Sequence, residues 1–278
     1  MIGLSYGSFA SSGGGGTDAD AQAFIDAHNT ATGSTMNAIQ QSAIIGFVER
    51  LKGTGTTNGS DLFGSFGLTA IYPYCPIDDS TANANAYKLN LINPAANVIT
   101  FTNFVAGDFL PTGVSGGGTK IADTGIGIDA AAYNDYVFSF YSRDAGASGR
   151  AMGALNTAGS RALDSGFIGA TTYVNFYRFG SSFTDTIVNT QGLFTESFEN
   201  QYRNTTQFAT RTSDNATLNN NSIFLHSRNF RGAANAASSN EFAGFAIGTS
   251  NFTAAAFQDW FEAWDWYQTN VITGGRNV

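Results

Sequence analysis

The chain has 278 residues, 42% of them apolar and only 12% charged, with a formal net charge of −8 and a pI near 4.6. There is ample apolar content for a sizeable core, while the acid excess and the lack of any Lys/Arg cluster exclude nucleic acid and anionic membrane surfaces as partners. One cysteine (Cys75) and two histidines exclude an intrachain disulfide and the usual zinc ligand sets.

Residues 1–17 are small and glycine-rich and read as a flexible arm hinged at "SSGGGGT". The segment has no Lys or Arg and no long apolar run, so it is not expected to be a signal peptide. No segment approaches the roughly 20 apolar residues of a membrane span, so the chain is expected to be made in a cytosol and not inserted in a membrane. Leu4, Tyr6 and Phe9 stand out as candidates for docking the arm onto a partner; a disordered terminus is the alternative.

Residues 18–68 read as a helical lead-in and loop. "DADAQAFIDAHNTA" opens with Asp18 and Asp20, which suit a helix N-terminus, and carries Ala23, Phe24 and Ala27 as apolar positions. "TMNAIQQSAIIGFVERLKG" sets Met36, Ile39, Ala43, Phe47 and Leu51 three or four apart, one buried stripe, and stops at Gly53. Neither helix is long enough to be stable alone, so both need a surface to pack on. "GTGTTNGSDLFGSFG" is expected to be a loop.

From residue 69 to 278 the pattern is that of short strands. "NVITFTNF", "YVFSFYSR", "TTYVNFYRFG", "TQFATRTS", "SIFLHSR" and "NEFAGFAIG" alternate in period two and are separated by turn signals such as "NNN" and "SGGG". One buried face per strand predicts two antiparallel sheets packed as a sandwich. No repeat of 20–50 residues supports a propeller or solenoid. A helix over 253–269 is predicted to close the sandwich, its stripe of Phe257, Trp260, Trp264, Tyr267 and Val271 laid on a sheet or over a sheet edge. Asp259, Glu262 and Asp265 lie mostly away from the stripe. Trp266 lies outside it and is the candidate for glycan contact. Gly274 and Gly275 end the helix, and Arg276 is placed to turn back to a carboxylate or to the last carbonyls.

Several segments in this order, "ERLKG", "AIYPY", "YKLNLINPA", "IADTGIGI", "FSFYSR", "FAIG" and "WYQTNVITGGRNV", resemble those of bacteriophage virion structural proteins that carry a concanavalin-like (laminin G-like) jelly-roll domain. The resemblance spans about residues 18 to 278. It rests on Tyr72-Pro73, Leu89-Asn90-Leu91, Asn93-Pro94, Ala122-Asp123-Thr124, Tyr141-Ser142-Arg143 and Arg276, and it brings no catalytic role to any of them. The chain departs from the family pattern at Asn93, where Lys-Asn-Pro is usual one step earlier, and at "SGGGTKI", which replaces an Asn-Gly-rich turn. It implies a mainly β jelly-roll sandwich with two N-terminal helices and a C-terminal aromatic helix, placed in a virion.

Concanavalin-like folds also host glycoside hydrolases, which need paired carboxyl groups. Glu196 and Glu199 in "TESFEN" are three apart and would point to opposite faces of a strand, and a surface pair on a helix or turn explains them more simply. Ser-His-Asp chemistry would have to use His28 or His226, and no Gly-x-Ser-x-Gly elbow is present. "SGGGTK" does not meet the phosphate-loop pattern. Asp78, Asp79, Asp123 and Asp129 are candidate calcium ligands, with turn capping as the simpler role.

No cofactor is expected. The expected function is a non-enzymatic structural protein on the outside of a phage particle: a capsid decoration, head fibre or tail appendage. Its partners would be other virion proteins, copies of itself, and glycans of the host surface. The alternatives are a polysaccharide-degrading hydrolase of the same fold and a bacterial lectin or adhesin module.

Overall fold

A computed structural model describes residues 17–81, 83–127, 136–146, 148–155, 162–169, 171–177, 183–187, 189–197, 200–210, 221–249 and 252–278. Leu4, Tyr6, Phe9, Asp129 and Glu199 lie outside the described residues.

Local chemistry fixes the helix ends. The Asp18 carboxylate accepts from the Asp20 N–H and starts α1 (Ala19–Thr32), which ends at Gly33 in the left-handed region. The Asn37 side chain accepts from Ile39 and Gln40 and starts α2 (Ala38–Leu51). This cap corrects the sequence reading of the stripe. Met36 is buried ahead of the helix, Ile39 is 41% exposed, and the packed face is Ala43, Ile44, Phe47, Val48 and Leu51. The loop after α2 is as expected. It leads into β1 (Leu68–Tyr72), followed by the short α3 (Ala84–Tyr87).

The remaining strands in chain order are β2 (Thr100–Thr102), β3 (Phe109–Leu110), β4 (Gly113–Ser115), β5 (Ile121–Gly127), β6 (Tyr136–Ser142), β7 (Gly149–Leu155), β8 (Ala162–Phe167) and β9 (Thr172–Tyr177). They continue with β10 (Phe183–Thr186), β11 (Gly192–Ser197), β12 (Asn200–Arg203), β13 (Thr206–Thr210), β14 (Ser222–Leu225), β15 (Arg228–Phe230), β16 (Ala233–Asn235) and β17 (Glu241–Thr249). The chain then forms α4 (Ala254–Asn270). Among the described residues one sheet runs β13-β12-β11-β6-β17-β4-β3, with β1 also paired to β17. The other runs β10-β9-β8-β7-β14-β5-β2, with β15 and β16 attached beside β7. Among the described residues pairing is antiparallel apart from a parallel contact of β15 with β7 and an isolated parallel bridge, Arg150 with Ala237. The fold is the predicted one: a mainly β, antiparallel, jelly-roll-like sandwich with two N-terminal helices and a C-terminal helix.

Two cores result, one on each side of the first sheet. Between the sheets, Phe138, Phe140, Phe194, Phe242 and Phe245 meet Met152, Leu163, Phe167, Tyr173 and Leu225. On the outer side, Val137, Tyr141, Leu193 and Ala246 meet Phe24, Phe47, Trp260, Trp264 and Tyr267 of the helices. All seven residues of β6 are therefore buried, where the sequence pattern implied one buried face per strand. The alternation is present, but both faces are used: Ser139 on the outer face accepts a hydrogen bond from Trp260 Nε1 at 3.0 Å.

α4 thus lies across the outer face of a sheet rather than over an edge, and its Trp260 and Trp264 side chains build this second core, not the sandwich interior. The predicted stripe is buried throughout. Phe47 of α2 stacks on Tyr267 and meets Trp264 edge-on, at centroid separations of 4.7 and 5.0 Å. The N-terminal helices thus find the packing surface they need in this layer.

Arg276 is 1% exposed. The carboxylate expected of it is replaced by neutral acceptors. Its guanidinium donates to the carbonyls of Pro73, Tyr74, Pro111 and Ala243 and to the Gln268 side chain. The backbone follows the other expectation, with Arg276 N–H bonded to the Gln268 carbonyl near the helix end.

Candidate functional site

The second half of α4 borders a depression of about 340 Å³ on the helical side of the molecule. Its lining comes from α2 (Arg50), the following loop (Gly55) and α4 (Phe261, Glu262, Asp265, Trp266, Thr269, Asn270). Trp266 is half-buried here, not the open platform that its place outside the stripe implied. A Cβ at Gly46 of α2 would overlap the indole, so the glycine admits the ring. The Arg50 guanidinium covers the ring at 4.1 Å from its centroid and donates from Nη1 to the Gly46 carbonyl at 3.2 Å. Burial lowers the pKa of Arg50, against the opposing pull of Glu49 and Glu262.

The acids of α4 have different duties. Asp259 is fully buried, contrary to the expectation that it lies away from the packed face. Its carboxylate accepts from the N–H groups of Asn58 and Ser60, at 2.9 and 2.8 Å, and from the Asn58 amide. Glu262 accepts from the Thr57 N–H, the Thr57 hydroxyl and Gln258. Burial alone would raise both carboxyl groups, but these hydrogen bonds outweigh it and hold them below the ordinary range. Together they fasten the loop whose Gly55 forms one wall of the depression. Asp265 Oδ1 accepts from Asn277, and Asn270 donates to the Trp266 carbonyl at 2.7 Å.

The other candidates are dispersed. His28 is buried, with Nε2 3.1 Å from the Cys75 carbonyl, and burial lowers its pKa. His226 is buried at the end of β14, with Nε2 3.1 Å from the Tyr74 hydroxyl. Glu196 does not sit on a surface helix or turn. It lies on β11, 1% exposed, and accepts from the Tyr173 hydroxyl. Asp78 accepts from Ser80 and Thr81, and Asp123 accepts from the Gly125 N–H, as turn-capping residues do. Asp79 accepts from Gln40. Among the described residues no group of three His, Cys, Asp or Glu is placed to hold a metal ion, and no helix is long and apolar enough to cross a membrane.

Sequence reasoning picked out Trp266 but missed Arg50 and Glu262 as its neighbours. The available signal was Gly46 inside an otherwise good helix, "IIGFVER", since an isolated helical glycine marks close approach of another element.

No family model matches the chain, and no curated protein matches it. Several solved structures are similar in part. Trypanosoma rangeli sialidase, in complex with a difluoro-KDN ligand, shares 11% identity at a TM-score of 0.45, over 82% of this chain and 39% of that one. A structure titled for botulinum neurotoxin type C and its dependence on two ganglioside molecules shares 10% at 0.40, over 71% and 51%. The CBM40 domain of Ruminococcus gnavus IT-sialidase, bound to α2,3-sialyllactose, shares 10% at 0.37, over 52% and 94%. The chain spans about half, or less, of the neurotoxin and sialidase chains. At these scores the likenesses carry no argument about ligand or activity.

Proposed function

We propose that the chain is a non-catalytic structural domain on the outside of a bacteriophage particle, serving as a capsid decoration, head fibre or tail appendage. It packs with other virion proteins and with copies of itself, and it touches glycans of the host surface. The observation that carries this reading is where the resembling segments lie. Four of them, far apart in the chain, converge on one corner. Leu91 N–H bonds the Ile71 carbonyl at 2.7 Å, and the Asn90 side chain accepts from Ile71 N–H at 3.1 Å. Arg276 grips the carbonyls of Pro73 and Tyr74, and Arg143 donates to the Arg276 carbonyl. Tyr141 donates to the Asn277 side chain at 2.9 Å. Letters that agree with a family at mutually bonded positions support a common fold plan, because each letter needs the others. The segment 122–124 lies apart, in β5, where the Thr124 hydroxyl donates to the Ile223 carbonyl.

A non-catalytic role is supported by the placement of His28, His226 and Glu196, the reactive candidates among the described residues, which are sealed in the interior. The test is gold-labelled antibody against the chain on purified particles, viewed by electron microscopy. Label on heads, or clustered at a tail or collar, is expected. Intact particles without label, with the protein free or in the host envelope, would overturn the virion reading.

A further inference from the structure

We propose that the depression between α2 and α4 is a binding site for one or two rings of a neutral, hydroxyl-rich sugar, seated against Trp266. This rests on the reading above that the chain touches glycans, and it names the place and the chemistry.

The chain has three tryptophans, and two of them, Trp260 and Trp264, are fully buried. Trp266 is the one that reaches solvent, and it does so at the depression. Its ring is held in place before any ligand arrives, by Arg50 on its face and by the Gly46 gap on α2. Such pre-organisation removes part of the ordering cost of binding. Phe261 adds a second aromatic surface, and a few polar groups surround the pair, which is the composition of small-ligand sites. The volume, about 340 Å³, falls at the small end of such sites, which suits a short saccharide and not a long polymer.

The polar lining selects against charge. Arg50 contributes one positive charge, and Glu262 and Asp265 contribute two negative ones. An anionic sugar would meet a net repulsive wall. A cation would be repelled by the Arg50 guanidinium that sits over the Trp266 ring, whereas a neutral sugar can lie against the rest of the indole and Phe261. Unspent hydrogen-bonding capacity of both kinds remains. Among the described residues, Arg50 has a hydrogen bond from Nη1 only, Asp265 Oδ2 accepts none, and Asn270 uses its Nδ2 and not its Oδ1. Hydroxyl groups both donate and accept, and a ring bearing several of them matches this mixture.

The test uses the full chain. Its fluorescence is titrated with neutral mono- and disaccharides of glucose, galactose, mannose, rhamnose and N-acetylglucosamine. In parallel it is titrated with sialyllactose and oligogalacturonate. Because the other two indoles are buried, a ligand-induced change reports Trp266. A saturable change with at least one neutral saccharide is expected, and isothermal titration calorimetry, which needs no indole reporter, should show the affinity weakened about thirtyfold or more by Trp266→Ala. Asn270→Ala, at the exposed helix end, is the second variant if Trp266→Ala does not fold, and a loss of about tenfold is expected of it. No response to any neutral saccharide, tighter binding of the acidic ones, or binding unchanged in the variants overturns the proposal. The two readings fail separately. Label on particles without saccharide binding removes this site alone, and saccharide binding by a protein absent from particles removes the virion role alone.

Discussion

His226 makes the stability of this protein fall on acidification, by an amount that can be worked out. The residue is fully buried, with φ +63, at the exit of β14. Its ring stacks on Tyr74 and is edged by Phe104, Phe242 and Phe245. The nearby charges are Lys120 and Asp108, which pair with each other at 2.6 Å. Burial, aided by Lys120 and opposed by Asp108, lowers its pKa from 6.5 to about 3. Above pH 6.5 the imidazole is neutral in both folded and unfolded chains and stability does not depend on it. Below pH 6.5 only the unfolded chain takes up the proton, so stability drops by about 1.4 kcal/mol per pH unit until the folded pKa is reached. Between pH 6.5 and 4.5 this amounts to about 2 kcal/mol from His226 alone. His28, also lowered by burial, acts with the same sign. Asp164, raised by burial, acts with the opposite sign. Comparison with His226→Asn removes both, and Asn tolerates the left-handed backbone. The variant loses stability at every pH through the space it leaves, so the measured quantity is the slope. Urea unfolding at several pH values should give a steeper fall for the wild-type chain than for His226→Asn. Equal slopes from pH 6.5 to 4.5 would refute the assignment of a buried, neutral imidazole.

Arg276→Ala should cost at least about 4 kcal/mol in urea unfolding, because several charge-assisted hydrogen bonds of roughly 1.5–3 kcal/mol are lost and four carbonyls lose a buried donor. Arg276→Lys should recover little of this, since an ammonium cannot span the fan of acceptors. Asp259→Ala should cost about 1–3 kcal/mol by leaving the N–H groups of Asn58 and Ser60 unpaired. Hydrogen exchange at those two amides should accelerate well beyond the change seen in β6, and equal acceleration at both places would mean that the carboxylate does not hold the loop.

How much of this was legible in the sequence depends on how local the cause is. Asp18, Asn37 and Thr253 cap their helices through bonds to residues two or three away, so helix starts could be read closely, even where the Met36–Ile39 stripe was misjudged. The stripe of α4 and the sandwich class follow from periodicity, which a sequence displays directly. What covers the outer face of β6 does not. Ser139 and Tyr141 look like solvent-facing residues of a strand until Trp260 and the tail are brought onto them by contacts more than a hundred positions away. Glu196 misled for the same reason. A carboxylate three residues from another reads as a surface pair, and only the fold shows Tyr173 opposite it.

Distance in sequence also separates what the resembling segments say from what they leave open. Arg276, Arg143, Tyr141 and Asn90 are spent on the backbone or side chains of each other's segments, so their identities are set by folding. A ligand cannot be read from residues whose hydrogen bonds are already used. It has to be sought where polar atoms are in contact with solvent and still unspent, and around Trp266 the fold leaves such atoms beside an aromatic ring it has already fixed in place.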